Sequence, residues 1–125
     1  MQGMWDDGGM NGDLDQTIKN ILEFRDDRDW KQFHNAKDMA ISLSLEASEV
    51  LEHFQWKSKE EIDEYIKTHK EHIGEELADV LYWVLLMSHD LNIDILEASK
   101  KKLIKNAEKY PVEKAKGSSK KYNQF

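Results

Sequence analysis

The chain has no cysteine, which excludes disulfides, thiolate zinc sites and cysteine nucleophiles. It has a single proline, Pro111, and after residue 12 only two glycines, Gly74 and Gly117. An all-β chain builds its turns from those residue types, so their scarcity argues for long helices. No segment approaches the ~18 consecutive apolar residues of a membrane span, and Val80 to Met87 is the best candidate. The first twelve residues are acidic and hold four of the six glycines. They lack the basic start and apolar stretch of a secretory leader. Residues 1–12 are expected to be a flexible arm on a cytoplasmic protein with no membrane partner.

At 125 residues the chain suits one domain able to bury a core without staples. Its formal net charge is −7, and that charge is unevenly placed. Residues 1–99 carry 9 Lys+Arg against 23 Asp+Glu, a balance of −14. Residues 100–125 carry 9 lysines against Glu108 and Glu113, a balance of +7. An acidic body repels a nucleic acid polymer. It suits a small polyanion held between metal-loaded carboxylates and a lysine cluster, although a solvated basic tail is the simpler reading.

Apolar residues at helical spacing predict a first helix over about 14 to 28, with Leu14, Ile18, Ile21, Leu22 and Phe24 or Arg25 on one face and Asp13 as cap. Asp29 to Asp38 lacks a clean period and reads as a loop or broken helix. A second helix is predicted over about 38 to 55, with Ala40, Leu43, Ala47, Val50, Leu51 and Phe54 facing the core. Ser58 and Glu61 have the spacing of a capping box and open a short polar helix to about Thr68. The period resumes over about 70 to 89 through Ile73, Leu77, Val80, Leu81, Val84 and Leu85. Asp94 can cap a last helix that ends before Pro111. The expected fold is an all-α bundle of four to five helices spanning residues 13–111, followed by a basic, irregular tail over 112–125.

The second helix also carries Ser42, Glu46, Glu49, His53 and Trp56 on a single face, and a later one carries Glu76, Asp79, Trp83 and Leu86. Glu46/Glu49 and Glu76/Asp79 are two i,i+3 carboxylate pairs, with ~5–6 Å between Cβ atoms in each pair. Such pairs are ordinary on a solvated face. If the two helices pack together, however, four carboxylates converge, and unpaired anions resist that. Hard divalent cations resolve the conflict, and all-oxygen ligation suits Mg²⁺ or Mn²⁺. A di-iron bundle would place histidine at i+3, where this chain has Glu49 and Asp79.

Glu46-x-x-Glu49 followed after a spacer by Glu76-x-x-Asp79 resembles the signature of the MazG-type all-α nucleoside triphosphate pyrophosphohydrolases. Arg28-Asp29-Trp30 with Gln32-Phe33-His34, and Phe54-Gln55-Trp56-Lys57, bring the resemblance closer to the dCTP pyrophosphatase branch. So do Lys102 with Asn106, Tyr110-Pro111, and Gly117-Ser118-Ser119 with Lys121-Tyr122. The resemblance implies Mg²⁺-dependent hydrolysis of a nucleoside triphosphate to the monophosphate and pyrophosphate. It implies Glu46, Glu49, Glu76 and Asp79 as metal ligands, with Glu46 or Glu49 taking a proton from the attacking water.

The same resemblance implies Trp30, Trp56, Trp83, His34, Ile21 and Asn106 around the base and sugar. Lys57, Lys102, Lys109, Lys116, Lys121 and Tyr122 are the candidate phosphate partners, each with a solvated side chain as its alternative. Core packing is the alternative for each tryptophan. Two positions depart from the branch: Trp83 stands where tyrosine is usual, and Ile21 where vertebrate members have histidine. Both make the pocket more apolar. The expected substrate is dCTP, with dATP or modified dCTP as further candidates, and the activity a house-cleaning of the nucleotide pool. A bundle that binds nucleotide and Mg²⁺ without useful turnover is the alternative. The aromatic-rich stripes exceed what one small bundle covers, and family members form dimers of dimers, so a homotetramer is expected.

Overall fold

The computed structural model describes residues 14–124, so the expected arm over 1–12 and the expected cap Asp13 lie outside the described residues. The chain divides into two units after Leu91. The first contains α1 (Leu14–Asp27), a 3-10 turn at Lys31–Phe33, α2 (Ala36–Glu52) and α3 (Lys59–Asp90). No strand occurs among the described residues, and the all-α expectation holds.

Both α1 and α2 pack against α3. Met39 of α2 and Leu85 and Leu86 of α3 are the buried hydrophobic residues of this unit. Leu51, Leu77 and Leu81, expected in the core, are instead exposed. They sit on helical faces that this arrangement leaves uncovered.

Local chemistry explains where the helices start and bend. Asn35 accepts a hydrogen bond from the Asp38 amide and so starts α2 at Ala36, two residues earlier than the apolar period suggests. The helix ends at Glu52, and the chain turns through His53 to Trp56. Trp56 therefore leaves the face it would share with Glu46 and Glu49. Ser58 and Glu61 form the expected capping box. The two helices expected after it run as one, α3, bent at His69, whose backbone is non-helical (φ −121°, ψ 16°). There the Tyr65 carbonyl lies within hydrogen-bond reach of both Thr68 Oγ1 (3.3 Å) and His69 Nδ1 (3.2 Å). Such side-chain intrusion into the helical ladder bends a helix.

The second unit contains α4 (Ile95–Lys109), α5 (Val112–Ala115) and a 3-10 turn at Tyr122–Gln124. Asp94 caps α4 as expected, accepting from the Glu97 amide. The tail expected to be irregular thus holds two short helical turns. The Tyr122 ring packs edge-on to Tyr110, with Lys109 Nζ 4.8 Å from its centroid. No helix among the described residues is long and apolar enough to cross a membrane.

Candidate functional site

The packing of α2 on α3 brings the two carboxylate pairs together. Glu46, Glu49, Glu76 and Asp79 each place one oxygen within 4.8 Å of the others. On either helix the partners are three residues apart and so share a face. Glu46 and Glu76 are half-buried, whereas Glu49 and Asp79 are exposed.

The crowding shifts their chemistry. The Glu46 carboxyl is pushed up to about 7, first by desolvation, then by a hydrogen bond and the negative charge of Glu49, with smaller contributions from Asp79 and Glu76. Glu76 is raised by its hydrogen bond to Glu49, then by desolvation and neighbouring charge. Carboxylates this close must share protons or share a cation. Among the described residues, Glu46 Oε2 is buried with no hydrogen-bond partner. That orphaned oxygen and its three oxygen neighbours form a donor set able to hold a divalent cation.

Against this cluster lies a pocket of about 520 Å³. Its apolar walls are Ile21 and Phe24 of α1, Trp30 of the following loop, and Tyr82 and Trp83 of α3. Its polar lining comes from Thr17, Asn20, His34 and Asp79. Asp79 belongs to both the pocket and the carboxylate cluster. The rings brace one another edge to face: Phe24 meets Trp30 at 5.6 Å and Tyr82 at 6.1 Å, Tyr82 meets Trp83 at 5.1 Å, and Trp83 meets His34 at 5.2 Å. Edge-to-face contacts are a preferred geometry for aromatic pairs, and here they brace the pocket's walls against one another.

Of the residues expected around a base, Ile21, Trp30, His34 and Trp83 line this pocket. Trp56 does not line it, being 87% exposed in the turn after α2. Lys57 is engaged elsewhere, donating to the His53 carbonyl at 2.7 Å with its Nζ 4.2 Å from the Tyr65 ring centroid. Lys102 and Asn106 stand one turn apart on α4, with Lys109 at its end. Lys116 and Lys121 are exposed, and Tyr122 is half exposed.

Thr17, Asn20 and Tyr82 line the pocket without having been singled out in the sequence, and Phe24, read there only as part of an apolar helical face, lines it too. Asn20, Phe24 and the face they share with Ile21 could have been found from helical spacing alone. Arg25 and Asp90 behind His34 carried no such signal. Their side chains pair across 65 residues of sequence, with Arg25 Nη1 2.7 Å and Nη2 3.0 Å from the two Asp90 oxygens.

Comparison with known proteins gives one family and several relatives. The sequence model of the MazG-like family matches residues 41–125. The chain is 36% identical over 112 residues to dCTP pyrophosphatase 1 of Mus musculus, covering 85% of this chain and 66% of that protein. It is 34% identical over 115 residues to dCTP pyrophosphatase 1 of Homo sapiens, covering 87% of this chain and 68% of that protein. The chain thus spans about two thirds of the length of these relatives. A crystal structure of a pyrophosphatase from Archaeoglobus fulgidus superposes with a TM-score of 0.75 at 39% identity, covering 78% of this chain and 92% of that one.

Proposed function

The chain belongs to the MazG-like family, and from that premise we propose that it hydrolyses a deoxynucleoside triphosphate, dCTP foremost, to the monophosphate and pyrophosphate. The observation that carries this reading is the double membership of Asp79, in the carboxylate cluster and in the wall of the aromatic pocket. A nucleotide has the same two-part character, a flat base joined to a chain of anionic phosphates. The mouse and human relatives named for dCTP, and the archaeal structure named as a pyrophosphatase, support the same chemistry.

The base enters the pocket among Trp30, Phe24 and Trp83, where aromatic contact is worth ~1–3 kcal/mol per base. Ile21 packs against it, and His34 reads its edge. The triphosphate then runs past Asp79 toward Glu46, Glu49 and Glu76. Bound there, a divalent cation, Mg²⁺ in this reading with Mn²⁺ as a substitute, supplies charge neutralisation and Lewis-acid activation. Glu46 and Glu49 orient the attacking water, and Glu46 accepts its proton as the oxygen joins the α-phosphorus. The bond between the α-phosphorus and its bridging oxygen breaks, and pyrophosphate leaves. Asn106, Lys102, Lys109, Lys116, Lys121 and Tyr122 remain the candidates for sugar and phosphate contact, as point charges and hydroxyl donors. Trp56, exposed in this chain, is proposed to act only where a second copy covers it. A cytoplasmic nucleotide-pool role fits such an activity.

The test is Glu49→Gln. It removes a charge from the cluster while preserving its shape, so Mg²⁺-dependent pyrophosphate release should be lost with helix content intact by circular dichroism. Retained turnover would contradict the assignment.

A further inference from the structure

Arg25 is 1% exposed, and nothing in the reaction above uses it. Its guanidinium grips both oxygens of Asp90, and Nη1 also lies 3.4 Å from His34 Nδ1. A guanidinium has only donors and does not lose its proton in proteins. A His34 nitrogen hydrogen-bonded to it can only accept, which favours the neutral ring with its proton on Nε2. Burial, then the charge of Arg25, lower its pKa below the usual histidine value, against the opposing pull of Asp90, and so favour the neutral ring. Contact with Trp83 at 71° and 5.2 Å fixes the ring plane at the pocket wall. Asp79 and Tyr82 are the other titratable groups lining that pocket.

We propose that Arg25, clamped by Asp90, is a positioning residue that makes His34 a one-way hydrogen-bond donor, and that this selects bases with an unprotonated ring nitrogen on the Watson–Crick edge. Cytosine and adenine present such an acceptor. Uracil, thymine and guanine present a ring N–H there, which would confront the His34 N–H. A free imidazole could switch tautomer and accept from that N–H. Here the switch would turn Nδ1–H against the guanidinium of the buried Arg25, setting two donors face to face in a part-buried contact, where unpaired donors are costly. Sites that leave a buried polar group unpaired reject the wrong ligand far more strongly than apolar pockets do. The inference rests on the nucleotide reading of the pocket and adds to it which bases are refused, and by which residues.

Two measurements test it. Nitrogen-15 NMR of the histidine rings in the wild-type protein reports the tautomer directly. The expected result is a pyridine-type Nδ1 and a protonated Nε2 on His34; a protonated Nδ1 overturns the proposal. The second compares kcat/KM for dCTP and dUTP, which differ in the base edge alone. Wild type should favour dCTP, and Arg25→Met with Asp90→Leu, which replaces the ion pair by apolar side chains, should shrink that preference about tenfold. The change should appear in KM rather than kcat. An unchanged ratio overturns the proposal.

Should that double variant fail to fold, His34→Gln and His34→Asn decide. The glutamine amide reaches the position of Nε2 and should keep the preference for dCTP, whereas asparagine should lose it; equal behaviour of the two overturns the proposal. Absence of pyrophosphate release from every deoxynucleotide would refute the enzymatic reading instead. Titration of the wild type with dCMP and dUMP, followed at His34, then tests base selection without turnover: tighter dCMP binding upholds it, and equal binding overturns it.

Discussion

Glu46 on α2 and Asp79 on α3 bring carboxylate oxygens within 4.8 Å of each other, and Asp79 also lines the aromatic pocket. This one relationship joins a site for cations to a site for a flat ring. It also puts an energetic load on the fold, since the cluster gathers like charges on helices that must pack.

That load gives a pH dependence with a definite sign. Glu46 is raised to about 7, above the ~4.3 of an unfolded glutamate. The folded chain thus binds that proton more tightly than the unfolded one, and metal-free stability should fall as pH rises from about 4.3 through about 7. A divalent cation takes the place of the proton. Thermal unfolding at about pH 5 and about pH 8 should show Mg²⁺ raising Tm mainly at the higher pH. Glu46→Gln should stabilise the metal-free protein at the higher pH while abolishing turnover. A Tm indifferent to both pH and Mg²⁺ would count against the cluster as a cation site.

The Arg25–Asp90 pair should respond as a buried ion pair does. Its side chains are 2% and 15% exposed, so Arg25→Met alone strands the Asp90 charge and should cost about 3–5 kcal/mol in urea unfolding. The double replacement Arg25→Met/Asp90→Leu should recover most of that loss. The Asp90 carboxyl is held low, first by its hydrogen bond to Arg25, so the stability it contributes is present above the unfolded value of ~3.9 and is lost as pH falls through its lower folded value. A single variant as stable as wild type would show that the pair is not the clamp described.

Trp30 walls the pocket and is braced by Phe24. Trp30→Ala should raise KM by about tenfold or more, in line with the ~1–3 kcal/mol of base stacking. The effect on kcat should be smaller, because the carboxylates are untouched. Steady-state kinetics with the preferred deoxynucleotide checks this, and an unchanged KM would move the base elsewhere.

Leu77 and Leu81 are 54% and 47% exposed on α3, one turn apart on the same face. Such a face costs free energy unless covered, and a second copy of the chain is the occupant this account proposes, within a homotetramer built of dimers. Light scattering should return four times the chain mass, and Leu81→Glu should lower it. A monomeric wild type would contradict the proposal.

Much of this was legible in the sequence because helical geometry is local. The i,i+3 spacing of Glu46/Glu49 and Glu76/Asp79 already placed each pair on one face, and the Ser58–Glu61 capping box and the Asp94 cap depend only on neighbours. What could not be read depends on distant contacts or small local competitions. Arg25 looked interchangeable with Phe24 in the periodic stripe, and only Asp90, 65 residues away, makes its burial tolerable. Trp56 left its expected face because α2 stops at Glu52. The join of two expected helices into the bent α3 turns on how the Tyr65 carbonyl is contested at Thr68 and His69.

The most direct test of the central claim is to identify the products formed from dCTP by the wild-type protein with Mg²⁺ and with EDTA, by mass spectrometry. The account predicts dCMP and pyrophosphate with Mg²⁺ and intact dCTP with EDTA. Formation of dCDP and orthophosphate, or no turnover of any deoxynucleotide in the presence of Mg²⁺, would contradict it.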